Sequence, residues 1–256
     1  MASWLTRQRI PAAQFRAIDP RREVPLLVGW SLAYIVLSGC TAQLIRRWPL
    51  PVLGSPDFLF DYWYVLFFKI FCLLLVPLFA FRKLGYRLRD MAPRGLTPGD
   101  YYWSLAALAA GCGINRGYFS GEVQRVRESA SGDVFVRIAI AILIALFNAA
   151  IPEEFFYRYW PQTRLEQRFG RIAAIAGAAL LFTAWHIPSR YFLASGGEGH
   201  AGDLGSVVVH TGLPVLLTGL IFGVLWDRHR RLLPLIALHW GIDSVPLAGA
   251  ILGLHH

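Results

Sequence analysis

The chain has 256 residues, is 55% hydrophobic and only 16% charged, and carries a formal net charge of +9. Soluble domains carry about 25% charged residues, so this composition and a mean hydropathy of +0.46 exclude an ordinary soluble domain and point to a polytopic membrane protein. The positive charge does not indicate nucleic acid: the basic residues fall in loops between apolar stretches, and no basic stretch carries a recognition motif.

Residues 1–23 hold Arg7, Arg9, Arg16, Arg21 and Arg22 and no apolar run, so no cleavable signal peptide is expected and the first span is expected to stay as an anchor. An uninterrupted membrane helix needs about 20 mostly apolar residues. Residues 24–44 meet this requirement. So do 59–81, with Lys69 and Pro77 inside. Residues 101–114 are shorter and Gly-rich and suit a tilted or partly inserted helix. Residues 115–133 are polar and mixed in charge, as in a loop or interfacial helix. Further spans are expected at 134–151, 172–188, 207–226 and 232–252. The expected fold is an all-α, polytopic transmembrane helical bundle of about seven to eight spans. Residues 1–133 form its N-terminal spans and 134–256 a helical core, within one integrated membrane domain. No internal repeat is visible. Cys40, Cys72 and Cys112 lie on separate apolar segments without metal spacing and read as packing residues.

The basic residues orient this layout. With the N-terminus cytoplasmic, seventeen Lys and Arg fall in inside segments and six in outside segments, a positive-inside asymmetry. It favours an odd number of spans and an outside C-terminus.

The fourth apolar segment carries two adjacent acids, in Pro152-Glu153-Glu154-Phe155-Phe156-Tyr157-Arg158. A charged residue at mid-membrane costs roughly 2.5–3.5 kcal/mol even on the mildest insertion scale, so such residues face a bundle interior or polar cavity and mark function. A helix stopping at Ile151 would leave Glu153 at the membrane surface, far in depth from His186 of the next span. The fourth helix is therefore expected to continue to about Arg164, with Pro152 as a kink or restart. On a helix, Glu154 and Arg158 are four apart and share a face, so Glu154 is expected to be the supporting acid of an ion pair. Glu153 then points about 100° away and is left to act as a general acid/base.

Two later segments complete the set. Phe182-Thr183-Ala184-Trp185-His186 places an aromatic ring one turn before a histidine. His239-Trp240-Gly241-Ile242-Asp243 places an imidazole and a carboxylate on one face. The latter pair can orient an imidazole, bind a metal or stabilise an oxyanion. His210 reads as a packing histidine of the sixth span. Lys69 is expected to snorkel or to pair in the bundle. Residues 195–205 form a Gly-rich outer linker, and His255 and His256 close the chain.

Glu153-Glu154-x-x-x-Arg158, Phe182-x-x-x-His186 and His239-x-x-x-Asp243, in this order on separate apolar segments, resemble the motifs of the CAAX-protease and bacteriocin-processing (Abi) family. These are intramembrane proteases similar to the type II CAAX prenyl endopeptidase. The resemblance covers roughly residues 134–254. It implies an intramembrane endopeptidase in which Glu153 and His186 activate water, His239 and Asp243 stabilise the oxyanion, and Glu154 and Arg158 support the site. Two positions depart from the pattern. Tyr159 stands where many bacterial members have Gly. Asp243 stands where the prenyl proteases have Asn. An ionised Asp cannot donate to an oxyanion, so Asp243 would be protonated, orient His239 or bind a metal.

No cofactor is required on this reading. Zinc is the competing one, with Glu153, His186, His239 and Asp243 as ligands, although no H-E-x-x-H is present. The implied partners are the lipid bilayer and a peptide or protein substrate, whether lipid-modified or a sorting or leader peptide, and no nucleic acid. The implied place is a bacterial inner membrane. The alternatives are a non-catalytic immunity or scaffold member of the same family and a proton-coupled transporter, the latter disfavoured by the lack of repeated halves.

Overall fold

The computed structural model describes residues 18–47, 68–87, 96–114, 132–194 and 196–251. Among these residues there are seven helices and no strand. Helix α1 spans Pro20–Arg47, α2 covers 68–83, α3 spans Pro98–Ile114 and α4 covers 132–169. Helix α5 spans Arg171–Leu193, α6 spans Leu204–His229 and α7 spans Leu232–Ile251. Helices α1, α5 and α6 are long and apolar enough to cross a membrane, and α7 contains a shorter apolar stretch, Leu232–Pro246. On α6, Leu213, Leu217 and Ile221 recur every four residues and are all more than half exposed. Such an apolar stripe would be costly in water and suits acyl chains. The protein is an all-helical integral membrane protein. Residues 59–67 of the expected second span and the expected loop at 115–131 lie outside the described residues, as do His255 and His256.

Helix α4 runs without a break through Pro152, as expected of a helix that continues past the acids. The way it does so was not legible in the sequence. Two π-helical segments, Ala145–Ala150 and Glu154–Gln162, flank the short α-helical stretch Ile151–Glu153. A proline lacks the N–H that an α-helix directs to the carbonyl four residues back. Widening the hydrogen-bonded ring re-routes the neighbouring bonds, and such π segments recur at functional sites. They also change the angle per residue, so α-helical spacing no longer says which side chains share a face beyond Glu154.

The chain forms two contact units. The first contains α1, residues 77–87, α4 from Phe155 onward, α5, and α6 with Arg230. Its buried ionic centre is Glu23. One oxygen accepts the Tyr86 hydroxyl at 2.7 Å and the Asp19 N–H at 3.0 Å, and the other faces Arg164 Nε at 3.2 Å. This ties the start of α1 to the end of α2 and to α4. Burial, and then the hydrogen bond to Glu23, push the Tyr86 phenol up to about 12. Helices α1 and α5 meet where a Cβ on Gly39 would fall 2.9 Å from Pro188 Cβ, and Ser38 Oγ donates to the Trp185 carbonyl at 3.2 Å. At the basic end of the unit, Arg171 pairs with Asp227 at 2.7 Å, and Arg230 pairs with Glu166 and Asp227.

The second unit contains residues 68–76, α3, α4 up to Glu154, and α7. Helices α3 and α7 cross almost backbone to backbone. A Cβ on Gly111 would lie 2.4 Å from the Leu238 carbonyl oxygen, and one on Gly241 would lie 2.4 Å from that of Leu108. Only glycine admits such an approach. The crossing is secured at its end by Asp100, whose Oδ2 accepts Thr97 N–H and Oγ1–H at 2.7 Å each and Arg231 NH1 at 2.9 Å. On the α4 side, Trp240 Nε1 donates to the Ile142 carbonyl at 2.7 Å. The residues adjoining Gly241 are thus fixed in place from two directions.

Candidate functional site

The second unit gathers four of the residues singled out by the sequence. Glu153 and Glu154 leave α4 where the α-helical turn at Pro152 gives way to the second π segment. His239 and Asp243 lie one turn apart on α7, on either side of the Gly241 crossing. His239 Nδ1 lies 2.9 Å from Glu154 Oε1, and its Nε2 lies 3.3 Å from Asp243 Oδ2 and 3.8 Å from Glu153 Oε2. Glu153, Glu154 and His239 are buried. The Asp243 side chain is 36% exposed and forms the open end of the cluster.

A buried carboxylate needs partners for its lone pairs. Glu154 spends an oxygen on the imidazole. Glu153 Oε1 accepts the Lys69 ammonium at 2.5 Å, and that side chain is itself buried. Glu153 is therefore ion-paired, whereas helical spacing alone leaves it as the acid outside any ion pair. A lone Lys in an apolar run is expensive enough to announce that it has a partner. Nothing in the sequence says that the partner lies 84 residues away. Glu153 Oε2 is buried and has no hydrogen bond among the described residues.

The imidazole has carboxylate oxygens at both ring nitrogens. As an imidazolium it donates to both Glu154 and Asp243. Of the three roles open to Asp243, orienting His239 is the one this contact supplies.

His186 and Arg158 belong to the first unit. His186 Nδ1 lies 2.8 Å from the Phe182 carbonyl oxygen one turn back on α5. A carbonyl only accepts, so Nδ1 carries the proton and Nε2 is the basic nitrogen. The Phe182 ring meets His186 edge-on at 5.0 Å, and the Trp185 ring lies 3.8 Å away. The Phe182-x-x-x-His186 spacing therefore sets both tautomer and ring orientation from within one helix. The buried Arg158 guanidinium lies over the faces of Phe182, at 4.7 Å, and Phe222, at 5.8 Å, a favourable cation–π arrangement. His210, on α6, hydrogen-bonds the Ser206 carbonyl at 2.9 Å and is exposed, so it is not the packing histidine the sequence suggested. Among the described residues, no group of three or more His, Cys, Asp or Glu side chains is gathered as a metal site.

Fold and cluster define an integral membrane protein with acids and a histidine held together in its helical interior. Residues 135–245 match the model of a protein family described as Type II CAAX prenyl endopeptidase Rce1-like. The matched segment contains Glu153, Glu154, Arg158, His186, His239 and Asp243, so over these residues the chain is similar to a family of membrane proteases, as the three motifs had indicated. Lys69 lies outside it. No curated protein and no solved structure matches the chain.

Proposed function

We propose that this protein is an intramembrane endopeptidase that hydrolyses a peptide bond with activated water. The observation that carries the reading is the geometry around His239. One imidazole is held by Glu154 and Asp243, and the buried Oε2 of Glu153, which has no hydrogen bond among the described residues, stands 3.8 Å from its Nε2. A water beside Oε2 can give up its proton to Glu153 as its oxygen adds to the substrate carbonyl carbon. The carbonyl oxygen becomes an oxyanion, and the donor proposed for it is His239 Nε2–H, whose 3.3 Å contact with Asp243 is the longer of the imidazole's two. Collapse re-forms the carbonyl and breaks the C–N bond, and Glu153 returns the proton to the departing amine. His186, through its basic Nε2, is proposed from its motif as the second water-activating group. Glu154 and Arg158 are supporting groups.

No metal is needed for these steps. The Lys69 ammonium already supplies a cation at the Glu153 carboxylate, which supports a metal-independent mechanism. The substrate is a peptide presented at the membrane. The charge distribution supports a cytoplasmic N-terminus, and the membrane proposed, from the resemblance alone, is a bacterial plasma membrane.

The reading is tested with purified protein in proteoliposomes. It is given a farnesylated peptide ending in a CAAX sequence, the same peptide without the farnesyl group, and a mixed peptide library, with products identified by mass. New termini are expected with the wild type and absent with Glu153→Gln, compared at equal amounts of folded protein. If the wild type cuts none of the three probes, the endopeptidase reading fails. Wild-type turnover by Glu153→Gln would exclude it as the base.

A further inference from the structure

Lys69 stands outside the matched segment and outside the three motifs, yet its Nζ lies 2.5 Å from Glu153 Oε1. It sits at the start of α2, whose π segment Phe71–Leu75 packs against Ile151–Glu153 of α4 within the second unit. Both side chains are buried, at 8% and 2% exposure. An ammonium so placed is costly unless it is paired.

The kind of cation matters. An arginine's planar fork engages both oxygens of a carboxylate, whereas a lysine is a point donor on a flexible stem. Here the point donor occupies Oε1, and Oε2 has no hydrogen bond among the described residues and faces His239 Nε2. We propose that Lys69 is a positioning residue for Glu153: it holds one carboxylate oxygen so that the other is presented to the reacting water beside His239. This inference rests on the endopeptidase reading, but the placement it asserts has its own readout.

The experiment compares wild type, Lys69→Met and Lys69→Arg in the full-length protein, in detergent for spectra and in proteoliposomes for kinetics. The Glu153 carboxylate band is isolated as the infrared difference between each protein and its Glu153→Gln partner. It is expected to move in Lys69→Met, and an unmoved band overturns the proposal whether or not any peptide is cut. With a peptide that the wild type cleaves, Lys69→Met is expected to lose at least tenfold in kcat with KM within twofold. Lys69→Arg is expected to keep the wild-type melting temperature and still lose kcat, because its fork covers Oε2. A merely structural lysine would be replaced by arginine without that split, so wild-type kcat in either variant overturns the proposal. If the wild type cleaves nothing, the endopeptidase reading falls, and the infrared band still decides whether Lys69 positions Glu153.

Discussion

His239 is the residue through which the others in the second unit communicate. Its ring nitrogens reach Glu154 and Asp243 directly and Glu153 at a longer distance. Glu154→Gln keeps the shape but replaces a charged acceptor with a neutral amide. A hydrogen bond to a charged group is worth about 1.5–3 kcal/mol, so this variant is expected to unfold at lower temperature or denaturant and to lose activity with it. Glu153→Gln leaves the buried Lys69 ammonium without its counter-charge and should lose stability too, so its activity is compared per folded protein and is expected to be absent. Equal stability of Glu154→Gln and wild type in a denaturant titration would remove the supporting role. The same cluster separates a metal mechanism from a metal-free one. Strong chelators are expected to leave cleavage intact, and purified protein to hold no stoichiometric zinc. Chelator-reversible loss of activity with bound zinc would overturn the metal-free mechanism but not the protease assignment.

At the scale of helices, the site depends on how closely α3 and α7 approach. The Cβ positions of Gly111 and Gly241 each fall 2.4 Å from a carbonyl oxygen of the opposing helix, and backbone cannot yield as a side chain can. Gly111→Ala or Gly241→Ala is therefore expected to cost about 1–3 kcal/mol as overpacking. It should also lower turnover sharply, because His239 and Asp243 bracket the crossing. Gly113, on the same helix α3, would meet nothing within 4 Å. Gly113→Ala should be neutral or slightly stabilising, since alanine is the better helix former. Equal melting temperatures for the three variants would show that the crossing does not govern the site. The π segments of α4 belong to this scale too. They let a proline stand one residue before Glu153 without breaking the helix.

For the whole molecule, the sequence pattern predicts an orientation before any contact is known. In the expected layout the basic residues fall mostly in inside segments, among them Arg82 and Lys83 at the end of α2 and Arg228, Arg230 and Arg231 at and after the end of α6. A reporter that is active only in the cytoplasm is expected to be active when fused to the N-terminus or inserted in the turn between α6 and α7, and inactive in the loop at 196–203. The reverse pattern would invert the topology.

Composition pointed to a membrane, and apolar runs of about 20 residues pointed to helices, because in hydrocarbon a backbone must satisfy its own polar groups and only a helix does so within one such run. Local spacing determined more. His239 and Asp243 are four apart and face one way, and Phe182 fixes His186 for the same reason, since one turn of α-helix is a property of the sequence itself. The doubled acid announced a site by its cost. What the sequence could not determine was who pays for each charge. Glu154 meets His239 across 85 residues, and Glu153 meets Lys69 across 84. No periodicity encodes those pairings. They exist because glycine lets α7 close on α3 and because π-helical turns re-aim the acids of α4. Both are consequences of packing, and packing is decided only when the helices assemble.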